Sequence, residues 1–301
     1  MTWSLALEKP QAQRIALVTG ANTGLGYQTA LELAKLDFTV ILACRNLQKA
    51  ERSRLQIIAA SSNEKLHCLA LDLSSQQAVK QSVTEFRQRF SRLDLLINNA
   101  GIMMPPFALT DDGFESQFAA NYLGHFSLSL SLLDLLEATP GSRIISLSSL
   151  AHQTGKIHFD DLQFQKKYHT VQSYGQSKLA CLIFAIELQR RLSQQAYQTL
   201  SVAAHPGIAA TNLDQHLSPI QAQLFKWFSQ PEAMGALPIL FAALSNNIHG
   251  GEYCGPKGFF QARGEPGIVK AKKHAYDEST ARKLWKLSEQ FTGFQFPPAT
   301  N

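Results

Sequence analysis

The chain has 301 residues, 45% of them hydrophobic and 17% charged, which suits a packed globular core and excludes a disordered or fibrous polymer. Such a length can bury one large core, so a single domain of the larger kind is expected. The formal net charge is +5, and between Lys270 and Lys286 six Lys or Arg face only Asp277 and Glu278. One tail-end cluster reads as a solvated helix face, so no nucleic-acid partner is expected.

Four cysteines, Cys44, Cys68, Cys181 and Cys254, are scattered, with no C-x-x-C and no histidine at ligand spacing. Neither a disulfide framework nor a metal site is expected. The stretch Met1–Pro10 lacks the basic start and the apolar length of a signal peptide. No run approaches the roughly 18 uncharged apolar residues of a membrane span. The expected compartment is the cytoplasm.

In chain order, Arg14–Thr19, Phe38–Ala43, Leu66–Leu71, Leu93–Asn98, Arg143–Ser148 and Thr199–Ala204 are short, continuously apolar runs. They predict strands buried on both faces of a parallel sheet. Helical patterns lie between them near 25–36, 46–60, 75–90, 112–138 and 172–193. The alternation predicts an α/β fold, a doubly wound parallel sheet with helices on both faces. A core over about 12–260 and a basic helical extension over about 265–301 make up one continuous domain. Around 209–230 no strand signal remains, and Ile220, Leu224, Phe225, Trp227 and Phe228 form an apolar patch among glutamines. Because this insertion follows a strand C-terminus, it reads as a lid over a ligand in preference to a surface dipping into lipid head groups.

The motifs fall at strand C-termini. The first strand runs into Gly20-Ala21-Asn22-Thr23-Gly24-Leu25-Gly26 and a helix. Three glycines at such a junction let backbone N–H groups approach a pyrophosphate. Tyr27, where a P-loop would carry lysine, removes that alternative. The second strand ends at Arg45, 19 residues beyond Gly26, with Lys49 one turn on. An acid there would suit the ribose hydroxyl of NAD; cations suit a 2′-phosphate, so NADP(H) is expected over NAD(H). Asp72-Leu73, Asn98-Asn99-Ala100-Gly101 and Ser148-Ser149 end the next three strands on the same side. Tyr174 and Lys178, 25 residues after Ser149, lie four apart on one helix and so share a face. An ammonium beside a phenol stabilises the phenolate, which lets the phenol give a proton to a carbonyl or take one from an alcohol. His125, His152, His158 and His205 form no pair at metal-ligand spacing.

In order and spacing, Thr19–Gly26, Asn98–Gly101, Ser149, Tyr174-x-x-x-Lys178 and His205-Pro206-Gly207 resemble the short-chain dehydrogenase/reductase family, over about Arg14 to Gly255. Met103-Met104-Pro105-Pro106, Asp112-Gly113-Phe114-Glu115 and Leu123-Gly124-His125-Phe126 are similar to its retinol-dehydrogenase-like branch. The resemblance implies a Rossmann fold and an oxidoreductase interconverting an alcohol and an aldehyde or ketone. It implies Tyr174 as acid/base and Lys178 as the group that stabilises its phenolate and holds the nicotinamide ribose. It implies Ser149, and not the neighbouring Ser148, as the residue that polarises the carbonyl. Asn121 would hold a relay water, Asp72 and Leu73 would meet the adenine, and Asn98, Ala100 and Gly101 would flank the cofactor. Pro206 and Gly207 would pack the nicotinamide, and Thr211 would reach its carboxamide. A homo-oligomer through the 112–138 and 172–193 helices is also implied, although Leu128, Leu132, Leu179, Leu182 and Ile186 could equally serve the monomer core. The alternatives are C=C reduction like that of protochlorophyllide reductases and an NADP(H)-sensing regulator without turnover. A nucleotide-sugar epimerase is disfavoured by the 96 residues that follow His205.

Overall fold

A computed structural model describes residues 3–208 and 230–297. The expected lid, its apolar patch and Thr211 lie outside the described residues.

The six expected strands are all present, displaced by one or two residues: β1 (Ile15–Thr19), β2 (Thr39–Cys44), β3 (Leu66–Ala70), β4 (Leu95–Asn98), β5 (Arg143–Leu147) and β6 (Leu200–Ala204). Two further strands, β7 (Tyr253–Pro256) and β8 (Pro266–Ile268), complete one sheet in the order β3-β2-β1-β4-β5-β6-β7-β8. All neighbours pair parallel except β8, which runs antiparallel to β7. Both late strands are short and carry proline and glycine, so their own sequences give no strand signal; the free edge of β6 supplies the partner for β7, and β7 the partner for β8.

Burial on both faces explains the apolar runs. In β1, Leu17 packs into the core on one side of the sheet, while Ala16 and Val18 pack into the core on the other. The second core is closed by α1 (Gly24–Lys35), α2 (Leu47–Ser61) and α8 (Glu232–Leu244). The first is closed by α3 (Gln76–Arg89), α5 (Gly124–Ser131), α7 (Thr170–Gln194) and α9 (Glu278–Thr292). Side-chain caps set several starts: Asn46 accepts from Lys49 N at 2.9 Å for α2, and Asp277 accepts from Thr280 N at 2.8 Å for α9.

The expected 112–138 helix is corrected in three ways. Residues 110–114 form a turn, with Gly113 at φ +80° and Gly113 N bonded to Thr110 O at 2.8 Å. Helix starts only at α4 (Ser116–Phe118), where the buried Glu115 carboxylate accepts from Gln117 N at 3.0 Å and Phe118 N at 2.8 Å. A π turn, Ala119–Leu123, then joins α4 to α5, and a break at Leu132 separates α5 from α6 (Leu133–Glu137). The π turn brings this helix close to the β3–α3 loop. A Cβ on Gly124 would collide with the Leu73 carbonyl, so glycine is required there.

The C-terminal extension is only partly the basic helix expected from 265 onward. Residues 266–268 are β8, and helix α9 begins at Glu278. Its apolar side is anchored by Trp285, which is 2% exposed. That ring stacks on Phe184 at 5.8 Å and meets Phe126 edge-on at 5.0 Å, while Ser288 bonds the Tyr122 hydroxyl at 2.7 Å. Leu128, Leu132, Leu179 and Leu182, the faces expected to make an oligomer, are buried inside this same chain, with Ile186 packed against them. No described helix is long and apolar enough to cross a membrane. Replacing Trp285 with Ala is expected to cost about 3–5 kcal/mol, because the indole fills the seam between α9, α5 and α7. Urea unfolding measures this, and a loss below about 1 kcal/mol would show that α9 is not part of the core.

Candidate active site

The chain runs outward from β1 to β3 on one side of the sheet and from β4 to β7 on the other, so a crevice opens between the C-termini of β1 and β4, where ligands of open α/β sheets bind. Polar bonds hold its two lips together. Thr19 Oγ1 accepts from Asn99 N and Ala100 N, each at 2.9 Å, and Asn99 Nδ2 donates to Thr19 O at 2.8 Å. Gly20, at φ +66°, turns the chain out of β1. A Cβ on Gly26 would strike both the Gly20 carbonyl and the Asn99 amide, so the turn closes tightly on the start of α1. The first turn of α1 holds no acid and presents its backbone N–H groups beside Asn22, Thr23, Gly24 and Leu25. Arg45 and Lys49 stand exposed at the end of β2, and neither side chain has an ion pair or hydrogen bond among the described residues. This arrangement fits a dinucleotide: backbone amides at a helix start for the pyrophosphate and two cations further out.

Asp72 sits in the β3–α3 loop, where its Oδ1 accepts from Ser74 N at 2.9 Å and Ser74 Oγ at 2.6 Å. That leaves Oδ2 available to a base. Leu73 follows, 7% exposed. Asn98 is 2% exposed; its Nδ2 donates to Ser129 Oγ of α5 at 2.8 Å, while its buried Oδ1 has no hydrogen-bond partner among the described residues. Ala100 and Gly101 follow it at the mouth of the crevice, and the side-chain amide that bonds across the crevice is that of Asn99.

At the centre lies Lys178, 6% exposed. Its Nζ donates to Leu147 O at 3.2 Å and lies 5.9 Å from the centroid of the Tyr174 ring. A Cβ on Gly101 would sit 3.3 Å from Lys178 Nζ and 3.2 Å from Asn121 Oδ1, so glycine keeps this space open. Asn121 Oδ1 accepts from Ile102 N at 2.8 Å, and its Nδ2 donates to Ile102 O at 3.0 Å and Ser177 Oγ at 2.9 Å. One lone pair of Oδ1 therefore remains for a water between it and Lys178. Tyr174 and Lys178 lie on α7, and Gly155 packs so closely against the Gly175 carbonyl that a Cβ on Gly155 would collide with it. That contact presses α7 onto the turn that follows β5. There Ser148 and Ser149 separate: Ser148 Oγ is buried and donates to Lys178 O at 2.8 Å, while Ser149 is half-buried. Ser149 Oγ accepts from Ala151 N at 3.2 Å, which leaves its own O–H free to donate to a ligand oxygen.

At the end of β6, Gly207 takes φ +69° and Ile208 N bonds Ala262 O at 2.8 Å. Gly207 N bonds His205 Nδ1 at 3.2 Å, and His205 Nε2 donates to Gln261 Oε1 at 3.1 Å. Pro206 O accepts from Gln230 Nε2 at 2.8 Å. The turn that would pack a nicotinamide is thus held from the β7–β8 hairpin. Among the described residues, no group of three or more His, Cys, Asp or Glu comes together as a metal site.

Residue spacing gave no reason to single out His125, four residues after Asn121. Its ring bridges Asn121 O and Thr19 Oγ1, each at 2.9 Å, so it connects the π turn to the crevice. The carbonyl can only accept, so Nδ1 carries the proton and Nε2 accepts from Thr19. Burial pushes the pKa of His125 down to about 4 and that of His205 down to about 3. Both are neutral when folded, whereas in the unfolded chain they protonate near 6.5. The unfolded state therefore binds more protons below about pH 6.5, and stability falls as pH drops towards about 4, by up to about 1.4 kcal/mol per pH unit for each histidine. The urea midpoint is expected to be clearly lower at pH 5 than at pH 7; an equal midpoint would contradict buried neutral histidines.

The crevice, the Ser–Tyr–Lys grouping and the sheet order together define a dinucleotide-dependent oxidoreductase of the doubly wound class. The family model described as "short chain dehydrogenase" matches residues 14–222, and the chain belongs to that family, in its retinol-dehydrogenase-like branch. It is an oxidoreductase acting on CH–OH groups. It is 41% identical to human retinol dehydrogenase 13 over 299 residues, covering 94% of this chain and 86% of the relative. Mouse retinol dehydrogenase 12 is 36% identical over 285 residues, with 94% and 87% covered. Among solved structures, an uncharacterised protein from Mycobacterium paratuberculosis superposes with a TM-score of 0.81 at 36% identity, covering 99% of this chain and all of that one. A short chain dehydrogenase from Shigella flexneri complexed with NADP shares the fold at a TM-score of 0.65 and 21% identity, covering 81% and 97%.

Proposed function

We propose that the protein is an NADP(H)-dependent enzyme that interconverts an apolar alcohol and its aldehyde or ketone. The observation that carries this is the convergence on Lys178: its buried Nζ donates to the end of β5, borders the gap at Gly101 and lies 5.9 Å from the centroid of the Tyr174 ring, so donors remain for a ligand. The dinucleotide supplies or takes the hydride. Tyr174 gives its phenolic proton to the oxygen that is being reduced, or takes it from an alcohol. Ser149 donates a hydrogen bond to that same oxygen. Lys178 holds its charge against the phenol and directs a proton to ribose, and the spare lone pair of Asn121 Oδ1 anchors the water that resupplies it.

Preference for NADP(H) rests on Arg45 and Lys49, exposed and unspent where a 2′-phosphate would lie. Preference for an apolar substrate rests on the names of the relatives and on the loop after β4. There Phe107, 43% exposed, lies 5.2 Å from the Tyr168 ring, and the Tyr168 hydroxyl fastens the loop to Pro105 O at 2.9 Å.

Against a panel of aldehydes, ketones and long-chain or polyene alcohols, Tyr174→Phe is expected to lower kcat/KM by about 10²–10⁴ with little change in cofactor binding. Full turnover by that variant on any true substrate would sink the mechanism. Arg45→Asp is expected to weaken NADPH binding about 10- to 100-fold relative to NADH, since a charged hydrogen bond is lost and repulsion added. An unchanged NADPH-to-NADH affinity ratio in a fluorescence titration would remove Arg45 from the phosphate site.

A further inference from the structure

We propose that His152 is a positioning residue for the Ser149 hydroxyl and that it ties the Ser149 turn to the C-terminal segment of the chain. The inference rests on the carbonyl–alcohol reading above and adds to it a residue outside the Asn–Ser–Tyr–Lys set.

Ser149 opens a single 3-10 turn, Leu150–Gln153, and the direction of its hydroxyl depends on that turn because Oγ is held by Ala151 N. The turn is closed twice by one residue. His152 N donates to Ser149 O at 3.0 Å, and the His152 ring returns to the same carbonyl through Nδ1 at 2.7 Å. A backbone bond alone would be ordinary turn closure. The ring bond fixes the Ser149 carbonyl from a second direction and so limits rotation of the peptide that carries the hydroxyl.

His152 is in turn fixed from far along the chain. Its carbonyl accepts from His274 Nε2 at 2.9 Å, and Lys272 N points at its Nε2 at 3.5 Å. Because Ser149 O can only accept, Nδ1 carries the ring proton and Nε2 is left to accept from Lys272. Tyr253 of β7 meets the ring edge-on at 5.3 Å and 87°. The ring is 0% exposed, and its burial, followed by the nearby His274 and Lys272, disfavours the charged form. Nδ1 also lies 3.4 Å from the Tyr253 hydroxyl, and the carbonyl also accepts from Gly155 N at 3.2 Å, so the polar atoms of this residue join the serine turn to β7 and to the segment after β8. A histidine that merely fills the core would not need both nitrogens and its carbonyl aligned in this way.

The test uses the full-length chain. Steady-state kcat and KM, NADPH affinity from fluorescence and thermal midpoints are measured for His152→Leu, His152→Asn, His152→Gln and His274→Ala. His152→Leu fills the volume without a donor and is expected to lower kcat at least about 30-fold while NADPH affinity stays within about twofold. In His152→Asn the amide N–H falls where Nδ1 sits, and kcat is expected to return to within about threefold of wild type. In His152→Gln the amide falls beyond it, and the loss is expected to persist. His274→Ala, on the surface, is expected to lower kcat about threefold. A leucine variant with wild-type kcat overturns the proposal, as does an asparagine variant no better than leucine. So does a fall in kcat matched by an equal loss of NADPH affinity. If the leucine variant does not fold, equal kcat for the asparagine and glutamine variants overturns it, and a clear asparagine advantage supports it. An unaltered His274→Ala removes the tie to the C-terminal segment. Wild-type protein that turns over no carbonyl substrate refutes the proposed function itself, whereas active wild type with an indifferent leucine variant refutes His152 alone.

Discussion

The burial of one ammonium group organises this molecule. Taking the Lys178 charge out of water is costly unless the protein replaces its hydration shell. Nζ donates to a carbonyl at the end of β5, and Gly101 at the end of β4 and Asn121 on the π turn border the space beside it. None of these is sequence-local to Lys178. The sheet must first be assembled in the order that sets β4 beside β1 and β5, and only then is the ammonium surrounded. A buried lysine with unspent donors is the kind of group that accompanies functional sites, and this is why the proposed reaction is centred on it.

The crevice itself is set by a chain of short polar contacts. Thr19 Oγ1 accepts from two amides at the β4 end and donates a hydrogen bond to His125 Nε2, whose Nδ1–H donates to Asn121 O. The π turn has an extra residue in its ring of hydrogen bonds, and the His125 side chain takes up the Asn121 carbonyl on it. Gly124 lets the same turn press on Leu73. The β3–α3 loop, the glycine turn and Asn121 are thereby coupled in geometry, and the link between Thr19 and Asn121 runs through the His125 imidazole.

The C-terminal third extends this logic. β7 and β8 widen the sheet, the hairpin between them grips the Pro206-Gly207 turn through His205 and Ala262, and the segment after β8 reaches His152. Helix α9 then covers α5 and α7, whose apolar faces the family resemblance had offered to a second subunit. The basic residues of this segment lie on its solvent side, consistent with the composition, while Trp285 and Leu284 are buried.

The six strands buried on both faces, the helices between them, the glycine turn and the Ser149, Tyr174 and Lys178 positions were determined by the sequence itself. Each rests on short-range rules: apolar periodicity, glycine at a strand-to-helix junction, and a four-residue helical spacing that puts two side chains on one face. What only the tertiary structure decided rests on contacts between distant segments. β7 exists because β6 offers it an edge, and β8 because β7 does. Asn98 turns under the sheet because Ser129 meets it there, leaving Asn99 to hold the crevice. His125 and His152 are ordinary histidines in the sequence, and they acquire their tasks only when Thr19, Asn121, Ser149 and His274 are brought within hydrogen-bonding distance. The chain's chemistry is written locally, whereas the orientation of that chemistry depends on contacts spanning up to 122 residues, which no local pattern encodes.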